Sequence, residues 1–185
     1  MHSRTPFPEP ADAGPHAGDL LGAELVAALS SARRRAGRDG DRHVDTAHLL
    51  HGLIESDPAV RSALGGPARL TRLLGYLAQR SIGYGLRWQG TVEGASEGRP
   101  GPTADRDGRR GAPAGWSPAA VVALEGALRR ARERGGTRAE GPDLLAALVA
   151  DPRCRAVEVL RRVGAVPEEP APVRTVDPHC QGHCR

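Results

Sequence analysis

The stretch His43-Val44-Asp45-Thr46-Ala47-His48-Leu49-Leu50-His51-Gly52-Leu53-Ile54 decides how the rest of this chain is read. Asp45 or Thr46 is placed to accept a bond from a free N–H of a first helical turn, and Leu49, Leu50, Leu53 and Ile54 follow at the spacing of one apolar helix face. A weaker copy, RAEGPDLLAALV, occupies Arg138 to Val149. One helical unit is therefore expected twice.

Working outward from the first copy, Leu21, Leu25, Ala28, Leu29, Ala32 and Ala36 recur at steps of three and four. That predicts a helix beginning near Asp19 and stopped by Gly37. Downstream, Asp57-Pro58 reads as an N-cap and a first helical position for a short helix carrying Val60, Ala63 and Leu64. Gly65-Gly66-Pro67 ends it and opens a fourth helix with Leu70, Leu73, Leu74 and Leu77 on its apolar stripe.

Around the second copy the same order returns. Trp116-Ser117-Pro118 supplies an N-cap and a Pro at the first helical position, Val121, Leu124, Leu128 and Ala131 the stripe, and Gly135-Gly136 the stop. Glu140-Gly141-Pro142-Asp143 starts the next helix, with Leu144, Leu145, Leu148 and Val149 on its apolar face. Asp151-Pro152 repeats the Asp57-Pro58 signal before a helix with Val157, Leu160 and Val163. Beyond Gly164 the fourth helix is missing or very short.

Laying Ala28-Leu29 on Ala127-Leu128 pairs Leu25 with Leu124, Ala32 with Ala131 and Arg33 with Arg132. After a four-residue insertion in the first copy, Leu49, Leu50 and Leu53 fall on Leu144, Leu145 and Leu148. A repeat reduced to core positions and helix stops is expected of two units stacked about a pseudo-twofold axis. The expected fold is thus all-α, with two pseudo-twofold-related helical repeats of about four plus three or four helices. The first repeat spans 18–80 and the second 116–166. Residues 1–17 read as a disordered arm, the Gly- and Pro-rich 81–115 as a linker, and 167–185 as a disordered tail.

With its duplicated order, its Trp116-Ser117-Pro118 opening and the segment Val44 to Ile54, the chain resembles the Clp N-terminal (Clp repeat) domain of AAA+ unfoldases. That resemblance implies a double-repeat docking platform for substrates and adaptor proteins. In some members the Thr and Glu of the signature bind phosphorylated arginine. This chain keeps Thr46 but has Ala47 at the Glu position, and Gly141 and Pro142 stand at both places in the second repeat. The carboxylate that would meet a guanidinium is missing from both. The resemblance implies an inter-repeat ligand surface at Thr46, Ala47, His48, Gly141, Pro142 and Asp143. At His48, the family's own His, a local bond at the helix start is favoured over a ligand role. Family unfoldases continue into ATPase modules, and these 185 residues carry no Walker motif, so a free-standing domain is expected.

Composition narrows the chemistry further. All 26 basic residues are Arg, which removes the Lys of a Walker A loop and of Schiff-base catalysis. No Ser stands in a nucleophile elbow, and no carboxylate or Cys is at useful spacing with His48 and His51 for a metal or a triad. The expectation is a protein that is not an enzyme, needs no cofactor and binds protein or peptide partners or small hydrophobic peptides. No apolar run reaches the ~18 residues of a membrane span and no secretory h-region is visible, so a cytoplasmic protein with no membrane partner is expected.

Two other readings compete. The Arg33–Arg35 run with Arg38, and Arg129, Arg130, Arg132 and Arg134, are the charge concentrations that a small helical regulator would use on nucleic acid, although helix charge runs are more often solvated faces. In the tail, His179, Cys180, His183 and Cys184 form a sufficient tetrahedral set for Zn, which would make metal handling the function; an ordinary terminus is the simpler account. Cys154 reads as a small apolar filler.

Overall fold

In the computed structural model, residues 20–79, 91–94 and 115–167 are described. The centre of the molecule is the opening stretch itself. Helix α2 (Thr46–Ser56) is capped by the Asp45 side chain, which accepts from the His48 N–H at 2.9 Å, and every residue from Thr46 to Ile54 is buried. A helix that is apolar on all sides has to be enclosed by others. Here α1 (Ala23–Asp39), α3 (Pro58–Leu64), α4 (Pro67–Gln79), α5 (Pro118–Glu133), α6 (Gly141–Ala150) and α7 (Arg155–Arg162) all pack against it. The crossing with α1 is closest at Gly52, where a Cβ would overlap the Ala28 carbonyl oxygen.

Seven helices among the described residues bear out the all-α expectation, four before residue 80 and three after 115. The pseudo-twofold relation shows in two reciprocal ties. A two-residue strand β1 (His43–Val44) runs parallel to β2 (Gly115–Trp116), and the Ser117 N–H reaches the Val44 carbonyl at 2.9 Å. In mirror position Leu21 bridges Ala139, with Gly22 N–H to Ala139 O and Ala139 N–H to Leu20 O, both at 2.8 Å. Each tie joins the chain just before one repeat's first helix to the chain just before the other repeat's second helix. The guanidinium of Arg33 on α1 also lies 4.8 Å over the Trp116 ring, a cation–π contact across the repeats.

Several local expectations shift. Helix α1 starts at Ala23 and runs through Gly37 to Asp39; the stop is Gly40, whose left-handed φ of 74° lets the Asp41 N–H turn back to the Ala36 carbonyl at 2.9 Å. An interior Gly costs about 1 kcal/mol, and the extra turn is held by the full burial of Ala36. On α5 the packed face is Ala120, Ala123, Ala127 and Ala131, with Leu124 and Leu128 half-buried and Val121 exposed. Small residues win because α5 lies tight against α6, at Gly126 and Ala147. The second repeat does not copy Asp57-Pro58: Asp57 Oδ1 caps Ala59 and Val60 N–H directly, whereas Asp151 Oδ1 takes the Arg153 N–H in a turn and α7 begins only at Arg155. Cys154 is the N-cap of α7 and is buried, as a filler should be, with Sγ 3.3 Å from the Leu148 carbonyl.

Candidate functional site

The inter-repeat junction is built from helix starts. A helix exposes unpaired N–H groups and partial positive charge at its first turn. Three such starts converge: Thr46 opens α2, Arg155 opens α7, and Ser117 is the N-cap of α5. Into this meeting point comes the carboxylate of Glu93, itself only 8% exposed. Its Oε1 accepts from Thr46 Oγ1 at 2.5 Å and from the Arg155 N–H at 2.6 Å. Its Oε2 accepts from the Thr46 N–H at 2.8 Å and from Ser117 Oγ at 3.3 Å.

The network extends from there. Thr46 Oγ1 accepts in turn from the Ala156 N–H at 3.0 Å. The Arg155 guanidinium bonds Asp45 Oδ2 at 2.7 Å and the carbonyl and hydroxyl of Thr91 at 3.0 and 2.6 Å. Two helices of different repeats are thereby held to one short segment, residues 91–93, that crosses between them.

At the corresponding place in the second repeat, the start of α6, the Asp57 side chain packs against Gly141. Gly141 is buried, and a Cβ there would overlap Asp57 Oδ2 and come within 3.1 Å of Val60 Cγ2. Only glycine leaves room for that carboxylate. Asp143 accepts the Glu140 N–H at 2.8 Å and both arms of the Arg134 fork, at 2.9 and 2.7 Å. Burial pushes its pKa up, but the Arg134 and Glu140 bonds outweigh this and hold it below the usual carboxylate range.

The six residues expected to form a ligand surface therefore sit at two pseudo-equivalent helix starts, not around one cavity open to solvent. Thr46, Ala47 and His48 are at most 1% exposed, Gly141 and Asp143 are buried, and Pro142 alone is exposed. The Nδ1 of His48 lies 2.7 Å from Asp45 Oδ1 and 3.2 Å from the Asp45 N–H. Nδ1 accepts that Asp45 N–H while the Asp45 side chain accepts the His48 N–H, and the two bonds close a capping box. Burial lowers the pKa of His48, yet Asp39, Asp41 and Asp45 together raise it to about 10. The expected metal set, His179, Cys180, His183 and Cys184, lies outside the described residues, as do residues 1–17 and most of 81–115.

Of the arginine concentrations, Arg33 stacks on Trp116, Arg35 pairs with Glu55 and Arg134 with Asp143. Those three are engaged within the fold. Glu93, Arg155 and the junction role of Ser117 are positions of this candidate site that periodicity does not reveal. Thr91-Val92-Glu93 in a Gly-rich stretch is at most a faint strand-like signal.

Against solved structures, the chain superposes on the N-terminal domain of the caseinolytic-protease-associated chaperone ClpD from Arabidopsis thaliana. The TM-score is 0.56 at 19% identity, over 82% of this chain and 90% of that one. The chain has a Clp N-domain-like fold. A structure from preliminary investigations of a malarial protein secretion system matches at TM-score 0.53 and 16% identity, over 78% of this chain and 85% of that one. No protein-family model and no curated protein sequence matches. At these identities the likeness is one of fold. Within that Clp N-domain-like fold, the signature segment supplies α2, and Ala47, standing where the resemblance places an acid, is fully enclosed. Among the described residues, no helix is long and apolar enough to cross a membrane.

Proposed function

We propose that the protein is a non-enzymatic docking module of Clp N-domain type, binding proteins or peptides as an accessory, adaptor or decoy in Clp-dependent proteolysis in the cytoplasm. The observation that carries this reading is the fold itself: a double repeat superposing on nine-tenths of a Clp-associated chaperone's N-terminal domain. The closed inter-repeat network supports a rigid platform, because the start of α2 is bonded by Glu93 and the start of α6 is packed against Asp57. Partners then dock on outer helix faces, where Val26 on α1 and Val121 and Val122 on α5 leave apolar surface in water. Phosphorylated arginine is not the expected ligand, since Ala47 offers no carboxylate and Asp57 closes the start at Gly141.

The test is a pull-down from lysate of the parent organism with the immobilised full chain, read by mass spectrometry against the Val122→Asp variant. Enrichment of a Clp unfoldase, adaptor or protease substrate on the wild type, reduced on the variant, is expected. Recovery of none of these would overturn the reading.

A further inference from the structure

The docking reading leaves one buried group without a use. His48 is 1% exposed and its Nε2 is enclosed without a hydrogen-bond partner. That nitrogen faces two carboxylates, with Asp41 Oδ2 at 3.2 Å and Asp39 Oδ2 at 3.6 Å. The three atoms all lie within 4.8 Å of one another. An imidazolium bonded to carboxylate closes to ~2.7–2.9 Å, and these separations are wider. They fit the edges of a coordination polyhedron: metal–ligand bonds of ~2.0–2.1 Å at tetrahedral angles put neighbouring ligand atoms ~3.3 Å apart.

We propose that Asp39, Asp41 and His48 form a site for a divalent first-row transition ion, zinc being the probe, that clips the end of α1 to the first turn of α2. The far side of the ring is prepared for that role. Nδ1 accepts the Asp45 N–H at 3.2 Å and lies 2.7 Å from Asp45 Oδ1, and Asp45 is fixed by Arg155 at 2.7 Å, so these outer contacts hold the imidazole with Nε2 toward the two carboxylates. One imidazole with two carboxylates suits zinc, cobalt or manganese better than calcium or magnesium, which prefer oxygen alone. Asp41 is 39% exposed at the side chain, so the remaining coordination positions open to water.

Calorimetry of Zn²⁺ binding to the full chain decides the matter, in a background of His179→Ala, Cys180→Ser, His183→Ala and Cys184→Ser that removes the ligands of the tail. One ion per chain with a Kd below about 100 µM is expected. Cobalt should show ligand-field bands and no thiolate charge-transfer band. Because His48→Ala removes part of a helix cap and risks misfolding, Asp41→Asn is the informative variant. It should keep the helical spectrum and bind at least about tenfold more weakly. A Kd above about 100 µM in the background chain, or an affinity unchanged in both Asp41→Asn and Asp39→Asn, would show that the cluster is only an ion-paired histidine.

Discussion

Replacing Glu93 by alanine should cost the protein a large part of its stability. The carboxylate serves four donors, but they do not lose equally. Thr46 Oγ1 keeps its bond from Ala156, and Ser117 Oγ keeps the one from Ala120. The N–H groups of Thr46 and Arg155 lose the acceptor that Glu93 gave each of them, at the first turns of two packed helices. Each buried donor left unpaired costs ~1–3 kcal/mol, and the loss of a negative charge at two helix N-termini adds a few tenths each. The expected loss is therefore about 2.5–7 kcal/mol, or a drop in Tm of roughly 10 °C or more for a domain of this size. Glu93→Gln, which keeps the shape but turns an amide NH₂ toward donors, should fall between.

Urea unfolding followed by far-UV circular dichroism measures this directly, and a cycle with Thr46→Val isolates the contact. The pair should couple by about 1 kcal/mol or more. A Glu93→Ala variant within about 0.5 kcal/mol of wild type, or strict additivity in the cycle, would refute the view that this side chain joins the helix starts.

Gly52→Ala should destabilise by about 2–3 kcal/mol or more, because the new methyl meets the α1 backbone at Ala28 and neither helix can yield; Gly75→Ala on exposed α4, with nothing within 4 Å, should be neutral or stabilising by up to about 1 kcal/mol. Thermal melts of the two variants side by side check the contrast. His51 is held neutral: burial and the Arg35 charge, with a smaller part from His48, lower its pKa from 6.5 to about 4 against the opposing pull of Glu55 and Asp39. Its folded pKa lies below its unfolded one, so its contribution is complete above pH 6.5 and is lost as pH falls toward 4. The urea midpoint of His51→Gln should consequently fall less steeply than that of wild type across this window, and parallel slopes would count against the assignment.

How much of this was legible depends on how local the cause is. Helix caps and stops are local chemistry, and Asp57-Pro58, Ser117-Pro118 and the leucines of the two signature segments behave as their spacing requires. The duplication was legible for the same reason, since core leucines survive divergence. What was not legible depends on a partner distant in sequence. Val121 loses its place in the α5 stripe because the opposing helix demands small residues, and α1 passes Gly37 because Ala36 has a pocket to fill. At the site, Thr46 could be singled out as a helix-start residue. That its acceptor would be Glu93, 47 residues away in a Gly-rich segment, has no signature in periodicity. The Asp39–Asp41–His48 cluster was hidden similarly: spacing along the chain offers His48 no metal partner, and the acid that ends α1 and the one two residues on gain meaning only once the α1 end is folded against α2.

The two repeats differ most where they depend most on each other. The start of α2 is bonded by Glu93 and covered by α7 of the second repeat; the start of α6 is packed against Asp57 and Val60 of the first. Neither repeat completes its own signature helix. The reciprocal strand ties, Val44 with Trp116 and Leu21 with Ala139, have the same crossed logic. Separation should therefore remove backbone bonds, core contacts and both anions at once, with no compensation inside either half. Residues 1–80 and 81–185 made as separate chains should each show weak helicity and no cooperative unfolding transition, while the mixed halves should regain both. A fragment 1–80 that unfolds cooperatively by itself would mean that the crossed helix starts decorate the fold instead of holding it, and Thr46, Glu93 and Arg155 would then have to be explained by what they bind.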